Sequence, residues 1–377
     1  MKICYNCFHE GKDQDKHCEY CGYSLIETTD SKYPQALPCG SVLHGEYIVG
    51  RVLGQGGFGI TYVAQDYNNK QLVAIKEYFP GTTATRTGTR SVQAYNVQNS
   101  DDFAFGKSIF LKEATTLSKF AGNQNVVTVY QFFEENGTAY FVMEYVDGES
   151  LKNYVRRKGG ILQWQEAVDI ILPVMDALEA VHKEGIIHRD ISPDNIALSK
   201  DGTVKLLDFG AARYSMGEKS QSLSVVLKHG FAPAEQYSRH GRQGPWTDVY
   251  ALGATLYNII TGRMVPDSID RIHTDMLQLP SSFGIRIPPA VEGVLKKALS
   301  VNQEDRFQTM GEFKRALLSA KLPASFGQSS NDPAAVSAGI GRGTVSPGGI
   351  GSRTSFPGGT DSGSTGNNPV IGAAGNA

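Results

Sequence analysis

Residues 188–195 read His188-Arg189-Asp190-Ile191-Ser192-Pro193-Asp194-Asn195, and thirteen residues beyond Asn195 stands Asp208, in Asp208-Phe209-Gly210. The first stretch is polar and charged. It lies between two apolar runs, Ile186-Ile187 ahead and Ile196-Ala197-Leu198 behind. One carboxylate, Asp190, can accept a proton from a nucleophile. A second carboxylate, Asp208, and an amide oxygen, from Asn195, can hold Mg²⁺ (or Mn²⁺), a hard cation that takes oxygen ligands and substrate phosphates. That set is what phosphoryl transfer needs.

The stretch resembles the catalytic loop of protein kinases, H-R-D-L-x-x-x-N, followed by the D-F-G metal motif. Further motifs fall in the family's order between residues 47 and 318, about three quarters of the chain. The resemblance implies an α+β protein with the two-lobed protein-kinase fold, a β-rich N-lobe and a helical C-lobe. It also implies ATP and Mg²⁺ as cofactors and a protein substrate. Asp190 would be the base, and Asn195 and Asp208 the metal ligands. Similar catalytic domains in bacteria are fused to assorted regulatory segments.

Working toward the N-terminus, Gly54-Gln55-Gly56-Gly57-Phe58-Gly59 is a G-x-G-x-x-G. A dinucleotide-binding fold would follow it with a helix. Here the β-branched run Ile60, Thr61, Val63 follows, so strand, glycine loop, strand is the better reading. Glycines let backbone N–H groups approach phosphates without a Cβ in the way. By resemblance this loop covers ATP. Val73-Ala74-Ile75-Lys76 matches the family's V-A-I-K strand, which makes Lys76 the phosphate-binding lysine and puts Ala74 in the nucleotide site.

Apolar residues at 110, 111, 114, 117 and 120 are close to helical spacing. Glu113, one step off that stripe, is the expected partner of Lys76. Glu77 is the second candidate, but adjacent strand residues point to opposite faces. Residues 81–102 read as an inserted loop or hairpin on the surface. Strands over 126–133 and 139–146 are joined by a turn at Glu135-Asn136-Gly137-Thr138. By resemblance Met143 guards the back pocket, and Glu144 and Val146 offer backbone groups to adenine. Thr61 and Ala197 are smaller than the aliphatics that often sandwich the base.

In the C-lobe, helices are expected over 151–158 and 165–184, the second ending at Gly185. The resemblance pairs Glu235 with Arg306 and gives Asp248 the task of holding the catalytic loop. Arg189 is of the kind that pairs with a phosphorylated activation segment, for which Ser215, Ser220, Ser222 and Ser224 are candidates. One departure matters. Serine/threonine kinases usually carry lysine where Ser192 stands, and many have threonine where Lys228 stands. The reciprocal swap suggests that Lys228 supplies the missing charge.

Cys4, Cys7, Cys18 and Cys21 form two C-x-x-C pairs, the pattern of a closed tetrahedral Zn²⁺ site. His9 and His17 between them read as surface residues. Residues 1–26 thus look like a zinc ribbon, 27–46 a polar linker with the odd Cys39, and 47–321 the kinase domain. Residues 322–377 are a Gly/Ser/Pro-rich tail, expected to be disordered. A net charge of −2 over 377 residues favours no nucleic-acid partner. The absence of a long apolar run favours no membrane partner, and the expected location is cytoplasmic. The ribbon's partner is not legible. The rival reading is a pseudokinase scaffold that binds ATP and protein partners, with the ribbon as its interaction module; Ser192 is the feature in its favour.

Overall fold

A computed structural model describes residues 2–25, 32–88, 90–209, 227–238 and 241–321. The chain opens with two short paired strands, β1 (Lys2–Ile3) and β2 (Glu10–Gly11), in the four-cysteine segment. A six-stranded antiparallel sheet follows. It is built from β3 (Val42–Leu43), β4 (Tyr47–Gln55), β5 (Gly59–Asp66), β6 (Leu72–Tyr78) and, after an excursion, β9 and β10. The excursion is a hairpin, β7 (Ala84–Thr87) and β8 (Ser91–Ala94), then the helix α1 (Ser100–Ser118). β9 (Val129–Glu135) and β10 (Thr138–Glu144) close the sheet, in the order β3-β4-β5-β6-β10-β9. The turn between them uses Asn136 and Gly137, with φ of 52° and 77°. Positive φ at both central residues matches the twist of the flanking strands.

The second lobe starts with β11 (Gly148–Ser150), α2 (Leu151–Arg157) and α3 (Trp164–Lys183). β12 (Ile196–Ser199) and β13 (Val204–Leu206) pair beside β11 and carry the catalytic stretch toward the cleft. Four helices complete it: α4 (Pro245–Thr261), α5 (Ser268–His273), α6 (Pro289–Ala298) and α7 (Met310–Lys321). α4 is buried along almost its whole length and forms the lobe's axis. α3 buries Val168, Ile171, Met175, Leu178 and Val181 on one face, as their helical spacing predicts. No helix among the described residues is long and apolar enough to cross a membrane.

Two expectations need correction. The stretch 27–46, read as a linker, is packed where it is described. Ala36 and Leu37 are buried, Leu37 N–H donates to Tyr62 Oη at 3.0 Å, and Val42–Leu43 add a strand to the sheet. The helix expected over 110–120 begins ten residues earlier, at Ser100, and buries Phe103, Gly106 and Ile109 on the face that continues to Phe110 and Leu117. Gly106 and the acidic first turn had masked that face in the sequence.

Of the 81–102 insertion only β7 and β8 form a hairpin, while 97–102 belong to a 3-10 turn and the start of α1, and the hairpin is anchored. Arg86 reaches Glu77 Oε2 at 2.7 Å, and Val92 N–H donates to Asn136 O at 2.8 Å. Glu77 is wholly buried and also accepts hydrogen bonds from Tyr62 at 2.7 Å and Tyr140 at 2.8 Å. Hairpin and former linker together cover the face of the sheet turned away from the cleft. The activation-segment serines 215, 220, 222 and 224 and the tail from 322 lie outside the described residues.

Candidate active site

The 188–195 loop is held from below by one buried carboxylate. Asp248, in the first turn of α4, accepts the N–H of His188 at 2.8 Å and of Arg189 at 2.9 Å, and His182 Nε2 at 2.7 Å. Burial would raise its pKa, but these donors and the nearby imidazoles hold it below the usual carboxylate range. His188 is wedged against the Phe209 ring, 4.6 Å between centroids, and its Nε2 lies 2.9 Å from Leu207 O. Its pKa is pushed down by burial, against the pull of Asp248. Arg189 and Asp208 both sit at positive φ, 69° and 39°. Such backbone is unfavourable for branched or bulky residues and here is fixed by the surrounding hydrogen bonds.

This frame brings the three groups singled out in the sequence to one cleft. Asn195 Nδ2 donates to Asp190 Oδ2 at 2.8 Å and to Asp190 O at 2.7 Å. With its NH₂ spent, Asn195 has its amide oxygen left as a hard ligand. Lys76 extends from β6, with Thr61 and Phe141 beside it across the sheet, and its Nζ lies 2.9 Å from Asp208 and 3.4 Å from Glu113. Burial would lower the lysine, but the two carboxylates carry it above its ordinary value. Burial pushes the Glu113 carboxyl up to about 7 against the pull of Lys76. Burial acts the same way on Asp208, yet Lys76 wins and holds it low. Glu113, not Glu77, is therefore the lysine's partner.

A cavity of about 350 Å³ lies over these groups. Gly54, Gln55, Gly56, Gly57, Phe58 and Gly59 roof it, and Lys76, Glu113, Asp190, Asn195, Asp208 and Lys228 line it. A Cβ built at Gly54, Gly56 or Gly57 would meet nothing within 4 Å, so no neighbouring group crowds the loop there. Gly59 is different: its Cβ would stand 2.3 Å from Glu77 O, so close sheet packing requires glycine there. A second cavity of about 640 Å³ continues from the first. Leu53, Thr61, Ala74, Met143, Glu144, Val146 and Ala197 line it, together with Arg51, Val127, Tyr145 and Leu207, which the sequence had not singled out. Glu144 N–H donates to Thr128 O at 2.8 Å.

Residues 47–316 match the family model described as the protein kinase domain. The chain belongs to the protein kinase family. Among curated proteins, its kinase domain is similar to the probable serine/threonine-protein kinase PknB of Bifidobacterium longum, 31% identical over 73% of this chain and 39% of that protein. It is also similar to the serine/threonine-protein kinase PrkC of Bacillus subtilis, 29% identical over 74% of this chain and 41% of that protein. The chain thus spans about two fifths of the length of these relatives. Among solved structures, PpkA-294 in its apo form is 36% identical, covers 75% of this chain and 99% of its own, and superposes with a TM-score of 0.68. The Mycobacterium tuberculosis PknI kinase domain shares the fold, with a TM-score of 0.56 at 24% identity, over 76% of this chain and all of its own.

Within the kinase domain, Lys228 Nζ donates to Ser192 Oγ at 2.8 Å and lies 3.4 Å from Asp190 Oδ1. The two members of the inferred swap thus meet beside Asp190. Glu235 and Arg306 also meet, at 2.7 and 3.1 Å through two parallel bonds, with Thr247 Oγ1 3.0 Å from the carboxylate.

The four cysteines ahead of the kinase domain converge as well. Their sulfurs all lie within 4.8 Å of one another, with Cys4–Cys21 and Cys7–Cys18 both at 3.6 Å. Bonds of about 2.3 Å to one tetrahedral ion would put sulfurs roughly 3.8 Å apart, so the donor set fits Zn²⁺. Each pair turns in the same way: Phe8 N–H donates to Cys4 O at 2.7 Å, and Gly22 N–H to Cys18 O at 2.8 Å. Both Phe8 and Gly22 take positive φ, 59° and 73°. The glycine at the second knuckle was legible; the strained phenylalanine at the first was not. His9 and His17 are exposed, as expected of non-ligands.

Proposed function

We propose that this kinase transfers the γ-phosphoryl group of ATP to serine or threonine hydroxyls of proteins, its own serines included. The observation that carries the reading is the convergence of Asp190, Asn195, Lys76, Asp208 and Lys228 on one cavity roofed by bare glycines. When bound at Asn195 and Asp208, Mg²⁺ neutralises phosphate charge. The remaining work falls to the chain. The glycine-loop N–H groups and Lys76 hold the phosphates, with Glu113 orienting Lys76. The adenine is taken in the second cavity, between Ala74 and Ala197, with Met143 at its back and the Glu144 carbonyl and Val146 at its edge. Asp190 orients the acceptor hydroxyl and takes its proton, and Lys228 stabilises the charge that develops on the transferring group. Zn²⁺ is the ion we assign to the cysteine cluster, where it holds a segment with almost no core of its own.

Ser192 is the one feature in favour of a pseudokinase. The ammonium of Lys228 standing 3.4 Å from Asp190 supports the catalytic reading instead. The test is transfer of label from γ-³²P-ATP with Mg²⁺ to a generic protein acceptor and to the chain itself, beside Asp208→Asn. Label that requires Asp208 supports the proposal, and phosphoamino-acid analysis separates serine and threonine from tyrosine. ATP binding without transfer, persisting with Ser192→Lys, would establish the scaffold.

A further inference from the structure

The four-cysteine segment is docked on the kinase sheet at the edge of the nucleotide cleft. The two residues between Cys4 and Cys7 make the joint. Tyr5 O accepts the N–H of Arg51 at 2.8 Å, and Asn6 Oδ1 accepts Arg51 Nε at 2.5 Å. The other end of the same amide, Asn6 Nδ2, donates to Cys21 Sγ at 3.4 Å. Asn6 is therefore a one-residue bridge from a metal-ligand sulfur to a side chain of the kinase. The Arg51 guanidinium also lies 5.8 Å from the ring centre of Tyr23, two residues past Cys21.

The kinase strand is cut to receive this segment. A Cβ on Gly50 would stand 2.2 Å from Tyr5 O and 3.0 Å from Phe8 Cζ. Gly50 is not at positive φ, so its backbone does not require glycine; the docked knuckle does. Phe8, held in left-handed backbone, is buried in the same contact. β4 is bulged on either side of Val52, and there Arg51 and Leu53 both line the larger cavity, on the side of the base and ribose.

We infer that Arg51 is a nucleotide-binding residue at the mouth of the cleft, held there by Asn6 and the metal-loaded cysteine cluster, so that metal occupancy sets nucleotide affinity. This rests on the reading of the cleft as an ATP site. A metal ligand and the outer group hydrogen-bonded to it are coupled in orientation and in metal affinity. Removing the ion frees Cys21, then Asn6, then the Nε contact that fixes Arg51. With Nε spent on Asn6 Oδ1 and one Nη1 proton on Val52 O, the rest of the planar fork still carries N–H donors suited to ribose hydroxyls and the edge of the base.

The test is a fluorescence titration of the full chain with mant-ADP and Mg²⁺. Zinc-loaded protein, chelator-stripped protein and the variants Asn6→Ala, Gly50→Ala and Arg51→Ala are compared. Zinc content is followed by colorimetric release, and the integrity of the kinase domain by its melting temperature. Each change is expected to weaken mant-ADP binding roughly tenfold, the scale of one lost charge-assisted contact. Stripping zinc from Gly50→Ala or Arg51→Ala should add nothing further. Gly50→Ala leaves the cysteines and Arg51 in place and tests the docking; its Cβ would also stand 3.0 Å from Val63 Cγ1 within the sheet, and an unchanged melting temperature separates the two effects. Unchanged affinity on stripping, or stripping that weakens Arg51→Ala as much as wild type, overturns the inference while leaving the kinase reading intact. Zinc-loaded wild type that binds no mant-ADP overturns both.

Discussion

Two lysines reach the same cleft from different parts of the molecule, and they are held in different ways. Lys76 is built into a sheet. Strands on both sides fix its Cα, and two carboxylates at 2.9 and 3.4 Å fix its ammonium. Lys228 comes from the segment before α4 and is positioned by the catalytic loop itself, through Ser192 and Asp190. The first is a rigid cation suited to gripping a ligand in its ground state. The second stands at the group proposed to take the proton, where charge shifts during transfer. Only interactions stronger in the transition state speed the chemistry, so the two lysines should fail in different parameters when removed.

The largest effect is expected at Lys76. Lys76→Met leaves Asp208 and Glu113 as two carboxylates with no cation between them and removes the proposed phosphate grip. Phosphotransfer should drop by at least about 10³-fold, with mant-ADP affinity falling alongside it. Retained nucleotide affinity would break the comparison, because Lys76 would then resemble its counterpart.

The rigidity of β6 has a source that can be removed separately. Behind Lys76, on the opposite face, Glu77 is buried with Arg86, Tyr62 and Tyr140 around it. Arg86→Met strips the only cation that pairs, among the described residues, with a carboxylate of no exposed surface, which costs about 3 kcal/mol, the low end for a broken buried pair because both phenols still donate. Chemical denaturation should show a lower midpoint. If the sheet is what holds Lys76, nucleotide affinity should weaken in this variant and turnover at saturation should not.

Lys228→Ala should lower turnover by about 10²-fold, the scale for one donor at developing charge, with mant-ADP affinity changed by less than about twofold. The double change Ser192→Lys with Lys228→Thr should restore much of the loss by returning the charge from the other side. Normal turnover in Lys228→Ala would leave Lys228 as a surface residue and Ser192 unexplained.

The lysines also mark how far the sequence could be read. Lys76, Asp190, Asn195 and Asp208 lie in short motifs whose spacing is set by the chemistry, so each was legible; Glu113 was read from the helical stripe at 110–120. The Lys228–Ser192 contact was legible only as a paired departure from a pattern. Glu77 was weighed for the wrong role: the alternation of a strand says that it faces away from Lys76, but nothing local says that Arg86 waits there. Residues 36–43 looked like linker because a few apolar side chains without a period carry no signal. Their burial depends on a sheet face formed by distant strands. The Gly50–Tyr5 contact was invisible for the same reason, since a glycine in a strand shows a close approach without showing what approaches.

The smallest effect, and the finest test of the comparison, is in pH. Glu113 ionises at about 7 in the folded protein, raised by burial from an ordinary 4.5. It must be ionised to orient Lys76, so activity should rise with pH through that midpoint. Below it, kcat/KM should fall about tenfold per unit, since that parameter reports the free enzyme. Stability should run the other way. Between 4.5 and 7 the folded state holds a proton that the unfolded state has released, so this group's contribution is full below 4.5 and is lost as pH rises to about 7. Asp208, whose pKa is lowered, has the opposite sign, and its contribution is lost only as pH falls below the ordinary carboxylate range. Within this charge cluster Glu113 shares the window from 4.5 to 7 with His188, whose pKa is lowered by burial and whose contribution has the opposite sign, so Glu113→Gln is needed to isolate the carboxyl's share. Glu113→Gln should flatten both the acid limb of activity and this slope in stability, while Lys228→Ala should leave the limb where it is. A limb that moves with Lys228 instead would mean that the two lysines are one coupled system.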